Sequence, residues 1–542
     1  MLRVPKIAVF SADDSFPSRR LLEALSQLYS VEFVRTGDLL VGAYDAALLF
    51  GTTRDHAIRT ARSGLRCMAF LCGESVNLSS TCPDVHLASI PYLNSCLRSQ
   101  VLPDTALQSI SRMKEEVGDQ VVARKDRDAL WIHRAEGTSA VDFVAMAVPT
   151  LLDGHHLYPH LQKDNWIRLL PLLHFLREVS RWEFPPIRAC FMFDDPNLHW
   201  RSYGYIRFHQ LLEHARQHNY HVSFATVPLD SWYVHPETAT LFRENAAQLS
   251  LLIHGNNHTY YELMQSGTDD SRTALASQAL RRIEHLEGVA GARVSRVMAA
   301  PHGACDHRTA NALMRTGFEA ACISRSSLMA RNPSTAWSPT AGLNPAEFLG
   351  EGLPIIPRFN IRWDAQTCVR FAAFLGQPVI PVGHHDDLAN GLDLMKTLAA
   401  LINSIGEVQW SDMKSIAQTN FFRHRDGEAL HLRTFSRRIR LKVPAEVRSL
   451  SIHRVWLSGN LGEGLTVTRP GSPPERVDHY HGEPLAVTPG EEVVISSVHP
   501  DLVDPHTVVL SHPSLWAIVR RQLCEGRDRL KPITAKLTSI KN

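Results

Sequence analysis

The sequence predicts an α/β protein with three parts: an open N-terminal α/β domain, a central distorted (β/α)7 barrel and a C-terminal β-sandwich. Three observations carry this expectation. Short apolar runs alternate with helix-like stretches over residues 1–115, and again on a larger scale over 187–425. In the second segment the polar residues that bear chemistry fall at the carboxyl ends of the runs, where β/α barrels place their sites. After about residue 428 the rhythm changes to alternating strand-like pieces separated by Gly- and Pro-rich turns.

In chain order, the first segment offers the runs Ile7–Phe10, Val31–Val34, Ala46–Phe50 and Met68–Leu71, with a helical stretch from Ser18 to Leu28. This rhythm suggests a Rossmann- or flavodoxin-like parallel sheet over 1–115, although no glycine-rich phosphate fingerprint accompanies it. Residues 116–185 read as a connecting segment with one strand at Ala129–His133 and a helix over Trp166–Val179, ended by Glu183-Phe-Pro-Pro.

The segment 186–427 offers seven candidate strands: Ile187–Phe193, His221–Val227, Leu249–Ile253, Val294–Ala299, Ala320–Ile323, Ile355–Phe359 and Val379–Val382. Seven such units close, or nearly close, a parallel barrel. The first strand ends in Asp194-Asp195-Pro196-Asn197 and the third in His254-Gly-Asn-Asn-His258, with Asn256 and Asn257 expected to shape that loop by Asx turns. Pro301-His302-Gly303 follows the fourth, Trp363-Asp364 the sixth, and His384-His385-Asp386-Asp387 the seventh. Residues 428–531 read as the sandwich with a terminal helix near Ser514–Cys524, and 532–542 as a loose polar tail.

The bulk numbers narrow the function. The chain has 542 residues, 44% hydrophobic and 21% charged, an ordinary globular composition with length for about three domains. A net charge of +2 gives no basic field of the kind nucleic acid requires, so no nucleic-acid partner is expected. No apolar stretch approaches the ~20 residues of a transmembrane helix. The N-terminal run reads as a first strand, not a signal peptide, and the nine cysteines contain no Cys-x-x-Cys pair. Buried reduced thiols in a cytoplasmic protein are the expectation.

The strand-end residues resemble the polysaccharide deacetylase family, the NodB-homology or carbohydrate esterase family 4 fold. The likeness rests on Phe193-Asp194-Asp195, His254-Gly-Asn-Asn-His258, Ala299-Ala300-Pro301-His302-Gly303 and Val379-Ile-Pro-Val-Gly-His384, in the family's order. It covers roughly residues 187–425 and neither flanking part. The resemblance implies a divalent metal, zinc ahead of cobalt, nickel, manganese or iron, held by Asp195, His254 and His258. It also implies Asp194 as general base, His384 as general acid, and an N-acetylated sugar or glycan precursor as substrate. Two imidazoles and one carboxylate suit this chemistry, because they leave coordination positions open for water and a carbonyl.

The departures are informative. The family's third motif carries an arginine that orients the base, and Ala299 stands there in this chain; His302 replaces the tyrosine that usually follows the proline. Asp364 beside Trp363, or else Asp386 or Asp387, is expected to tune the acid histidine, and His385 competes with His384 for that role. Pro301, His302, Asn197, Trp363 and Asp364 are the candidate substrate or oxyanion contacts. Two other readings stay open: a glycoside hydrolase on a related barrel, which needs two carboxylates flanking a sugar bond, and a carbohydrate-binding protein that has lost catalysis.

Overall fold

The computed structural model describes residues 3–541, apart from 13–15, 40–41, 79–82, 163, 457–463, 478–481, 511 and 513. It separates into two compact units: residues 1–183 with 336–344 and 367–375, and the remainder of the chain.

The first unit is built on a nine-stranded sheet. Its parallel part runs from Glu32–Arg35 through Lys6–Ser11, Ala46–Thr52 and Cys67–Leu71 to Ser139–Val144. The run Ala46–Phe50 is buried throughout, as a strand covered on both faces requires. Ser18 and Thr53 cap the helices Arg19–Tyr29 and Arg54–Arg62. The segment read as a connection supplies the remaining surprise. Gln120–Lys125, Asp128–Glu136 and Ser139–Val144 join the same sheet, and the last two form an antiparallel hairpin turned at Gly137, whose φ is +61°. Buried Trp131 in this hairpin donates its Nε1–H to Asp142 at 3.1 Å.

The second unit holds the barrel. Seven parallel strands, Phe191–Asp194, Val222–Thr226, Leu249–His254, Val294–Ala299, Ala320–Ser324, Leu353–Asn360 and Pro381–Gly383, pair in sequence. The seventh returns to the first through Met192↔Val382, which closes the ring. Met192, Ala225, Leu252, Val297, Cys322, Ile356 and Val382, one from each strand, pack into its core. The short strand Glu347–Leu349 pairs antiparallel with the start of the sixth. The barrel that the apolar runs predict is therefore present and closed.

Two four-stranded sheets follow, in the chain ranges Phe421–Ala486 and Arg438–Val498, and both send side chains into one cluster that includes Leu432, Ile439, Ile452, Val467 and Ile495. This is the expected sandwich. The terminal helix is much longer than expected. It runs from Leu515 to Lys541, so residues 532–541 of the stretch read as a loose tail are helical, with Pro532 inside the helix. Its polarity is also inverted: Arg521, Glu525 and Asp528, spaced four and three residues apart, are buried, while Leu515, Val519 and Leu523 are exposed. No helix among the described residues is long and apolar enough to cross a membrane.

Candidate active site

The first barrel strand is apolar and buried until Asp194, then turns sharply. Asp194 is 4% exposed, and Asp195 takes a left-handed backbone with φ +82°. That reversal aims the two adjacent carboxyl groups differently. Across the ring, the third strand delivers His254, and Gly255 at φ +62° swings the chain so that His258 returns to the same place. No side chain fits at Gly255, because a Cβ there would meet Glu262 Oε1 at 1.9 Å.

Asp195 Oδ1 lies 3.0 Å from His258 Nε2 and 3.5 Å from His254 Nε2. The three ligand-capable atoms sit within 4.8 Å of one another and form the one such group among the described residues. Oδ1 is buried yet accepts no hydrogen bond of good geometry. His254 Nδ1 lies 2.9 Å from the Ala299 carbonyl oxygen and donates to it, which in the neutral ring leaves Nε2 as the ligating nitrogen; burial lowers the ring's pKa, but Asp194 and Asp195 outweigh that and raise it above the ordinary value. Burial pushes the His258 imidazole down to about 3, against the pull of Asp195, so it is neutral across the physiological range. Burial raises the Asp195 carboxyl, but His254, His258 and Arg521 outweigh it and hold the group well below the usual carboxylate range.

Asp194 has a different partner. Arg358, from the middle of the sixth strand, donates Nη1–H to its Oδ1 at 2.9 Å, and both side chains are less than a tenth exposed. Burial alone would raise the Asp194 pKa; Arg358 first, then His254 and His384, bring it below the ordinary value. The arginine missing at Ala299 thus has a counterpart two strands further round the barrel. Nothing in the sequence marks it except a basic residue inside an apolar run, Leu353-Pro-Ile-Ile-Pro-Arg-Phe-Asn.

The His loop is held by Glu262. Its carboxylate accepts the backbone N–H groups of Asn256, Asn257 and His258 at 2.7, 2.9 and 3.0 Å. The Asn256 and Asn257 side chains, read as Asx-turn formers, accept instead from Arg282 Nη1 at 2.6 and 2.8 Å. Substituting Glu262 by alanine strands these three donors, at ~1–3 kcal/mol for each buried unmet group. We expect the barrel to lose about 3 kcal/mol or more, read as a lower denaturation midpoint at unchanged slope.

The other expected site residues are distributed unevenly. His302 stands exposed at the mouth with φ +56°, its ring 5.5 Å from that of His258, while Pro301 beneath it is buried. His384 is exposed at the mouth, and its backbone N–H donates to Asp387 Oδ2 at 2.8 Å. His385 points the other way: it is buried between Tyr203 and Tyr205, with Nε2 3.4 Å from Asp528 Oδ1 on the terminal helix. Asn197 is fully buried and bound to Asp230 and Arg529. Trp363 is 65% exposed, and Asp364 pairs with Arg362 at 2.5 Å.

No family model and no curated protein matches the chain. Among solved structures, Agd3, a novel carbohydrate deacetylase, aligns over 92% of this chain and 99% of its own at 9% identity, with a TM-score of 0.50. The chain has a carbohydrate deacetylase fold. A putative polysaccharide deacetylase from Mycobacterium smegmatis aligns over 44% of this chain and 91% of its own (16% identity, TM-score 0.32), and a Streptococcus mutans CE4 esterase over 42% and 87% (13%, 0.24).

On this deacetylase fold, sequence reasoning found the residues that end strands and missed those that steady them. Arg358, Glu262, Arg282, Asp230 and the buried side of the terminal helix belong to the second group.

Proposed function

We propose that this chain is a metal-dependent amidohydrolase that removes the acetyl group from an N-acetylated sugar or glycan. The observation that carries the reading is the Asp195, His254 and His258 cluster beside a separate, buried Asp194 carboxylate. The cluster fits a divalent metal, because a buried carboxylate oxygen without a hydrogen bond faces two imidazole nitrogens, one already fixed in the ligating tautomer. Asp195, His254 and His258 would hold the ion, zinc being best suited to this donor set. Bound there, it would supply Lewis acidity toward the amide carbonyl and toward water.

The chain's own groups supply the proton transfers. Asp194, kept ionised by Arg358, accepts a proton from the attacking water at Oδ2, since Oδ1 is engaged by the guanidinium. His384, exposed at the mouth and near enough for its charge to act on Asp194, donates a proton to the departing amine. His385 is committed to the terminal helix, which favours His384 as the acid.

A sugar substrate suits the mouth. The loops after the first, second, third and sixth strands present Trp200, Trp232, Tyr260 and Trp363, each at least 60% exposed. Flat aromatic bodies set in water around a polar site offer faces for the C–H surfaces of pyranose rings. A cytoplasmic location is part of the proposal: Cys67, Cys96, Cys190, Cys305 and Cys322 are buried free thiols, as in a reducing compartment. Cell fractionation tests that placement.

The test is the metal content of the purified protein against His254→Ala, together with acetate release from N-acetylglucosamine oligomers. We expect about one equivalent of zinc or a similar ion in the native chain, lost in the variant, and activity that disappears on chelation and returns with metal. Full activity after exhaustive chelation would overturn the reading.

A further inference from the structure

The inverted polarity of the terminal helix has a local counterpart at the site. Two consecutive arginines of that helix reach the backbones of two cluster residues. Arg521 donates Nη2–H to the carbonyl oxygen of Asp195 at 2.8 Å, and Arg520 donates Nη1–H to the carbonyl oxygen of His258. Both carbonyls belong to residues with left-handed backbones, φ +82° at Asp195 and +54° at His258. Non-glycine residues in this region are sparsely populated and persist where surrounding contacts over-determine them.

Arg521 is 2% exposed and is fixed in turn by Asp230, which accepts from Nε at 2.8 Å and from Nη2 at 2.6 Å. Asp230 belongs to the loop after the second strand and also meets Asn197 at 3.3 Å. Further along the helix, Glu525 faces His199 at 3.4 Å, Arg529 donates to Asn197 Oδ1 at 2.9 Å and to the Ser202 carbonyl at 2.7 Å, and Asp528 faces His385. One helix therefore grips the loops after the first, second, third and seventh barrel strands.

We propose that the C-terminal helix is a positioning element of the metal site, with Arg520 and Arg521 locking the backbones of His258 and Asp195 in the conformation that brings their side chains together. The inference rests on the metal reading above. It concerns residues far from the Asp-Asp and His-x-x-x-His motifs in sequence, Arg521 lying 326 positions from Asp195. Charge-assisted hydrogen bonds to carbonyl oxygens suit the task, because they fix the peptide planes and leave the ligating atoms free. Asp230 neutralises the guanidinium that must be buried to reach Asp195.

The test uses the full chain with Arg520→Gln, Arg521→Lys and the double substitution Asp230→Asn/Arg521→Met. Arg520→Gln removes the His258 contact without stranding a buried carboxylate, and the double substitution removes the Asp195 contact together with its counter-charge. Two readouts are taken on protein whose melting temperature and circular dichroism match the native chain. They are zinc affinity by competition with a chelator, and hydrogen exchange of the amides in 195–199 and 255–262 in metal-free protein. We expect zinc binding weaker by roughly 10–100-fold in Arg520→Gln and in the double variant, as for other groups that orient ligands. Arg521→Lys keeps the charge and loses the fork, so it should fall between these and the native chain. Exchange in both loops should quicken.

Native zinc affinity with native exchange rates in both Arg520→Gln and the double variant would overturn the proposal. The two readings separate cleanly. If the native chain binds no metal while the variants loosen both loops, the helix still positions them and the metal assignment falls. If the native chain binds zinc and the variants bind it equally, the metal assignment stands and the clamp falls.

Discussion

Asp194→Asn is expected to lower kcat by roughly 10²–10⁴-fold, the range a positioned general base contributes, with metal content unchanged. The substitution keeps shape and a hydrogen-bond acceptor for Arg358 but removes both the proton acceptor and the charge that balances the buried guanidinium, so the kinetics are read on protein shown to be folded. Asp195→Asn differs, because that carboxylate belongs to the cluster, and it should lose metal as well as rate. Steady-state kinetics with parallel metal analysis distinguishes the two. Equal metal loss in both variants would mean that the adjacent carboxylates do not divide the labour as proposed, and an active Asp194→Asn would remove it from the mechanism.

The second large effect is expected from Arg358→Met. In the native barrel Arg358 and Asp194 are a buried pair, each less than a tenth exposed. Removing one partner leaves an uncompensated buried charge, which costs about 3–5 kcal/mol. The pH dependence follows from the direction of the shift. Burial pushes the Asp194 carboxyl up and Arg358 brings it down below its ordinary value. In the native protein this carboxylate therefore stabilises the fold fully above its unfolded pKa of about 3.9, and the contribution is lost as pH falls through the lowered folded value. In Arg358→Met burial prevails and the sign reverses. The variant should gain relative stability as pH falls toward the raised pKa, and the acid limb of kcat/KM should move to higher pH. Denaturation midpoints and a pH–rate profile check both, and an acid limb that stays in place would show that Arg358 does not control the ionisation of Asp194.

These expectations draw on parts of the molecule that were unequally legible. The closed barrel was readable because parallel strands covered on both faces must be continuous apolar runs, and runs such as Phe191–Phe193 and Leu251–Ile253 are almost unmistakable. The cluster was readable because each half is local: two carboxyl groups at one strand end, two histidines four apart at another. Even the missing third-motif arginine could be noticed as an absence at Ala299. Its counterpart could not be found. Arg358 lies 164 residues from Asp194, and only the closure of the barrel brings the first and sixth strands onto one interior.

The same reason governs the adjacent histidines and the terminal helix. His384 and His385 are indistinguishable as residues, and their division between mouth and helix follows from which way the chain turns after Gly383. In the terminal helix the apolar residues Leu515, Val519 and Leu523 repeat with helical spacing, which on ordinary grounds marks the buried face. Here that stripe is exposed and Arg521, Glu525 and Asp528 are buried, because each meets an opposite charge or a polar group on the barrel. The sequence by itself determined the seven barrel strands, their order and the chemistry at their ends, since those depend on local periodicity and residue type. Tertiary structure alone decided which charges are buried together, because a buried ion pair reverses the rule that places apolar residues inside, and its two halves are joined only by folding.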